Sequence, residues 1–184
     1  MVTGEEYARQ AKSTKYDGLT YDNADCQKFV ELVLIDCGVK KPDGKPYDWK
    51  GSNSMWRNAL AWKGTIEECI AKYGKIPLGA WVFIVKNDGG EVERGYHDKE
   101  GNAKHVGIYI GGNTDTQVRD STETRTRDGV GYRRLEGFNM VGLPKMITYN
   151  LDDNTSDVTD IPITVTRQMA LEALETLTKY IKGV

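Results

Sequence analysis

Asp25-Cys26 and His105 are the residues of this chain whose types and placing could do chemistry. A cysteine thiolate is a strong nucleophile, and an imidazole beside it can take and return protons near neutral pH. Cys26 opens a stretch in which Phe29, Val30, Val33, Leu34 and Cys37 share one helical stripe, with Asp25 as N-cap and Gly38 as stop. The spacing predicts a helix over 25–37 with the cysteine in its first turn, where free amides and the macrodipole favour an anion. An ordinary buried thiol fits the same pattern, because free cysteine is among the most buried residue types.

The run from His105 to Gly112 alternates Val106, Ile108 and Ile110 against His105, Gly107 and Tyr109, so it reads as a strand closed by a Gly-Gly turn. Gly107 shares the histidine's face and carries no side chain, which lets a helix or a substrate come close there. The other histidine, His97, lies in the polar stretch 91–104, so a Cys/His pair has one strong candidate, although strand histidines are often purely structural.

These residues need a scaffold. The pattern predicts helices over 4–13 and 65–73, with strands from 79 onward. Trp81-Val82-Phe83-Ile84-Val85 is a continuous apolar run suited to a central strand, and further strands are expected near 117–121, 129–134 and 140–147. Helices followed by antiparallel strands make an α+β domain, with the helices expected on one side of the sheet. The charged excursion 91–104 would flank the site as a rim, a lid or a solvated loop. After Ile147 the composition turns polar and acidic. We therefore expect a domain over 1–148, a linker over 149–165 and an amphipathic helix over 166–184 that docks or self-associates.

Composition narrows the function. With 25 basic and 27 acidic residues in 184, the net charge of −2 disfavours a nucleic-acid binder. The three cysteines cannot all pair, and Cys26 and Cys37 on one helix lie about 16 Å apart, whereas a disulfide needs roughly 7 Å or less. Cys69 reads as a structural thiol. No disulfide is expected, in keeping with folding in a reducing cytoplasm. One strong histidine with scattered cysteines gives no metal cluster, and no cofactor is implied. No window approaches a membrane span, and Met1–Thr14 lacks the apolar core of a signal peptide.

Asp25-Cys26-Gln27-Lys28-Phe29-Val30, Ile76-Pro77-Leu78-Gly79-Ala80-Trp81-Val82-Phe83 and His105-Val106-Gly107-Ile108-Tyr109-Ile110-Gly111 together resemble the NlpC-type cell-wall cysteine peptidases, papain-like enzymes related to the CHAP amidases. The resemblance spans roughly residues 14 to 146 in the right order and spacing. It implies a papain-like α+β fold and a Cys/His/polar triad that cleaves the stem peptide of peptidoglycan, acting at the bacterial cell wall. It also implies a third triad position at Asp120, with Gln117 as the alternative. An oxyanion donor is implied at Tyr21, with Tyr16 second, beside the backbone amide of Cys26. The sequence departs from the family at Gln27 and Lys28, where small residues are usual, so Gln27 would put a bulkier, more polar wall at the substrate. Gly51 to Arg57 resembles a stretch of phage-borne members, which suggests a phage or mobile-element lysin or tail component. There Met55 and Trp56 would line the groove; core packing accounts for them equally well. An amidase or transferase on the same scaffold, or an inactive wall-binding or virion-assembly protein, fits the departures too.

Overall fold

The computed structural model describes residues 2–151. The helix expected over 166–184, its self-association, and the linker beyond Leu151 lie outside the described residues. Packing runs past the boundary expected at 148: the Tyr149 hydroxyl donates to the Gly79 carbonyl at 3.0 Å, and Leu151 packs with the second core.

Short strand β1 (Val2–Thr3) leads into α1 (Gly4–Ala11), started by a reciprocal capping box between Thr3 and Glu6. The stripe of α1 is Tyr7, Ala8 and Ala11, all buried. Helix α2 (Cys26–Asp36) follows the expected pattern: Asp25 accepts from the Lys28 amide at 2.7 Å, and Phe29, Val30, Val33 and Leu34 are fully buried. Next come α3 (Ser52–Asn58), β2 (Leu60–Thr65) and α4 (Ile66–Tyr73), the last started by a second capping box, Thr65 with Glu68. The remaining strands are β3 (Trp81–Lys86), β4 (Asn102–Tyr109), β5 (Val118–Glu123), β6 (Asp128–Arg133), β7 (Met140–Pro144) and β8 (Ile147–Thr148).

Six strands form one sheet in the order β2-β7-β3-β4-β5-β6, every pairing antiparallel, while β1 and β8 form a small parallel pair. The chain is an α+β protein. Both faces of the sheet are covered, which corrects the expectation of helices on one side. Trp81, Phe83, Val106 and Ile108 pack with α1, α2 and α3, whereas Val82, Val118, Val141 and Phe138 form a second core with Cys69 of α4. The cause is the unbroken apolar run of β3, whose two faces both need cover. Tyr7 links three elements: its hydroxyl donates to the Val30 carbonyl at 3.1 Å and accepts from Trp81 Nε1 at 3.2 Å.

Candidate active site

Cys26 begins α2, and the segment before it is pinned to the end of the sheet. Ser121 of β5 donates its hydroxyl to the Ala24 carbonyl, the Tyr21 amide donates to Asp128 Oδ1 at 2.9 Å, and the Val130 amide donates to the Leu19 carbonyl at 3.0 Å. Gly129 makes that approach possible. Its φ is +103°, and a Cβ there would lie 1.8 Å from the Leu19 carbonyl oxygen.

His105 comes to Cys26 through two irregularities of β4. The pairing with β3 shifts between Ile84/His105 and Val85/Ala103, a bulge that changes which face the residues before and after it present. The pairing with β5 is confined to Ile108 with Arg119 and Tyr109 with Val118, so β4 leaves β5 just where His105 sits. The Cys26 side chain lies beside the imidazole and favours its charged form. His105 Nε2 stands 2.6 Å from Asp120 Oδ2, which leaves Nδ1 as the nitrogen for the thiol. Gly107 occupies the place expected to admit a helix or a substrate. In the fold it admits β5 instead: a Cβ there would lie 2.6 Å from Val118 Cγ1 and 3.1 Å from Asp120 Cβ.

Asp120 is fully buried and accepts from three groups: His105, Arg127 Nη2 at 2.5 Å on Oδ1, and Arg133 Nη1 at 3.2 Å on Oδ2. Burial opposes its charge, but the imidazole and Arg127 outweigh that and hold the carboxyl below its usual range. Burial likewise disfavours the imidazolium of His105, yet the bond to Asp120 and the neighbouring Cys26 carry its pKa up to about 9. Phe138 lies against the ring at a centroid distance of 5.8 Å, and the Arg133 guanidinium sits over the Phe138 ring, 5.1 Å from its centroid. Neither arginine was foreseen. Arg133 pairs with Val118, two residues from Asp120 on the same face of β5, a relation visible only once the β5–β6 register is known.

The other expected residues sort clearly. Tyr21 borders the same cleft beside Cys26, and burial together with the charge at Cys26 pushes its pKa up to about 12. Tyr16 is in the core, bonded to Asp36 and Gln10 near the far end of α2, and is no oxyanion donor for Cys26. Gln117 ends the turn before β5, where its carbonyl accepts from the Ile110 amide at 2.9 Å; Asp120 is the residue on the imidazole.

Met55 and Trp56 do not line the cleft. Met55 is 0 % exposed and Trp56 3 %, both on the core side of α3, and Trp56 Nε1 donates to the Glu100 carbonyl at 3.2 Å. Seven-residue α3 has to bury an apolar stripe, and these two side chains are that stripe. Gln27 does border the cleft, but its amide is engaged by protein: Oε1 accepts from the Gly51 amide at 2.5 Å and Nε2 donates to Glu31 Oε1 at 2.7 Å. Buried Glu31 also accepts from the Trp49 amide at 2.8 Å, so Gln27 and Glu31 clamp the loop that delivers α3.

The cleft at Cys26 has a volume of about 190 Å³. A larger cavity of about 550 Å³ lies at the other end of α2, around Glu6, Arg9, Asp36 and Cys37. The site is placed by Cys26 and the groups beside it rather than by cavity size. The excursion between β3 and β4 forms one wall of the Cys26 cleft and is fastened to α3: Arg57 donates to Asp98 at 2.6 and 2.8 Å and stacks on Tyr96. Among the described residues, no cluster of three or more His, Cys, Asp or Glu side chains could hold a metal ion, and no helix is long and apolar enough to cross a membrane.

A cysteine at a helix start beside an imidazole, itself held by a buried carboxylate, is an arrangement that can transfer acyl groups through a thioester. No protein-family model, curated protein or solved structure matches the chain.

Proposed function

We propose that this protein is a cysteine peptidase that hydrolyses peptide bonds in the stem peptides of bacterial peptidoglycan. The observation that carries the chemistry is Cys26 at the N-terminus of α2 beside a His105 imidazole that is hydrogen-bonded to the buried Asp120 carboxylate. The substrate class rests on the three motifs that resemble the NlpC-type enzymes and on their papain-like order, helix cysteine before strand histidine.

The Cys26 thiolate attacks the stem-peptide carbonyl, and a tetrahedral intermediate forms at the start of α2. Its oxyanion takes a hydrogen bond from the Cys26 amide, one of the free donors of the helix's first turn, and from the Tyr21 hydroxyl. His105, charged while the thiolate is present, gives its proton to the leaving amine as the C–N bond breaks. The neutral imidazole then draws a proton from water, which attacks the thioester and frees Cys26. Asp120 keeps its charge throughout and fixes the ring through Nε2.

Purified peptidoglycan of several chemotypes, digested with wild type and with Cys26→Ala and analysed by mass, tests this reading. Cysteine-dependent release of muropeptides cut within the stem is expected. Release of whole stems from the glycan would replace the peptidase by an amidase, and no cysteine-dependent release from any wall would overturn the peptidoglycan assignment.

A further inference from the structure

The cleft beside Cys26 is bordered by Tyr21, Asp25, Arg94, Asn102 and Lys104. Most of its polar groups are already engaged. Asp25 caps α2 through the Lys28 amide, Asn53 Nδ2 donates to Asn102 Oδ1 at 2.8 Å, and Asn102 Nδ2 donates to Asp88 at 2.9 Å. Lys104 stands 3.2 Å from Asp88 Oδ2 and is half exposed. The exposed Arg94 guanidinium has no side-chain partner among the described residues. Its backbone is held in a single 3-10 turn, the Arg94 amide donating to the Glu91 carbonyl at 3.1 Å, on the excursion that Arg57 fastens to α3. Arg94 is exposed at the rim of the cleft with its guanidinium donors unspent, a group that fits a carboxylate in two-point contact, and the N-terminus of α2 adds positive potential on the same side.

We infer that the cleft selects an acyl donor carrying a carboxylate beside the scissile carbonyl, anchored by Arg94 with Lys104 as a second cation. The inference rests on the acyl-transfer reading of Cys26 but not on the identity of the polymer.

Iodoacetate and iodoacetamide differ by this very feature, a carboxylate against a carboxamide one carbon from the carbon that the thiolate attacks with loss of iodide. Rates of Cys26 alkylation by each reagent, followed by peptide mass in wild type, Arg94→Ala and Arg94→Lys, give a ratio in which the contribution of His105 is common to all three proteins. The ratio of iodoacetate to iodoacetamide rates should fall several-fold in Arg94→Ala, be largely kept in Arg94→Lys, and shrink in wild type as salt is raised. An unchanged ratio in Arg94→Ala overturns the anion subsite, as does a Cys26 that neither reagent reaches. A ratio that depends on Arg94 together with failed wall digestion would keep the subsite and discard the peptidoglycan reading.

Discussion

Cys26 and Cys37 stand at opposite ends of α2, one starting the helix and the other capping its end. At the first end the sulfur meets free helix amides, the His105 imidazole and the Tyr21 hydroxyl. At the second, burial and the neighbouring Asp36 carboxylate push the thiol up to about 11. Cys69 completes the series, since burial alone raises it to about 11, and its one hydrogen bond is a long contact to the Lys75 carbonyl at 3.9 Å. Burial does not separate them, since Cys26 is buried and Cys37 only partly so; a cation and a helix start beside the sulfur are what favour a thiolate.

The largest effect that would break this contrast is loss of Cys26. Cys26→Ala should abolish turnover with its thermal midpoint little changed, whereas Cys37→Ala should leave kcat within about twofold, as it touches none of the acyl-transfer groups. Asp120→Ala comes next. It strands His105, Arg127 and Arg133 around an uncompensated site, so denaturant unfolding should show a loss of roughly 3–5 kcal/mol along with a large drop in kcat.

The pH dependence sharpens the same point. Because the folded state raises His105 to about 9, activity that needs the imidazolium should fall as pH rises through about 9, and Asp120→Asn should move that limb to lower pH. His105 contributes stability in full below its unfolded value of roughly 6.5 and loses it as pH rises through about 9. Asp120, held low, contributes above its unfolded value of roughly 3.9 and loses the contribution as pH falls through its lower folded value. Tyr21→Phe is smaller: a fall in kcat of roughly 10²-fold with KM nearly unchanged, the mark of a donor used mainly in the transition state. Met55→Ala separates packing from binding. It should cost roughly 2–5 kcal/mol of stability and leave the KM of the folded fraction unaltered.

The helix carrying Cys26 was legible because a cap residue, an apolar stripe and a glycine stop all agree over 25–38. The strand of His105 was legible from alternation, and its pairing with Asp120 from resemblance to a family. Strand β2 was not, since Leu60-Ala-Trp-Lys-Gly-Thr lacks clean alternation and contains Gly64, which lies against the Trp62 ring. Met55 and Trp56 were ambiguous because a groove lining and a core stripe use the same residue types. The bulge in β4 and the arginines on Asp120 depend on strand register, which no single segment encodes. Arg94 looked like any other charge of a solvated loop until the excursion was folded against α3.

The most direct test of the account is the pH dependence of iodoacetamide alkylation at all three cysteines, resolved by peptide mass. Cys26 alone should be labelled at pH 6, with Cys37 and Cys69 joining it only as pH climbs toward about 11. Labelling of Cys26 only in step with Cys37 and Cys69 would contradict it, because the thiol would then be an ordinary buried one.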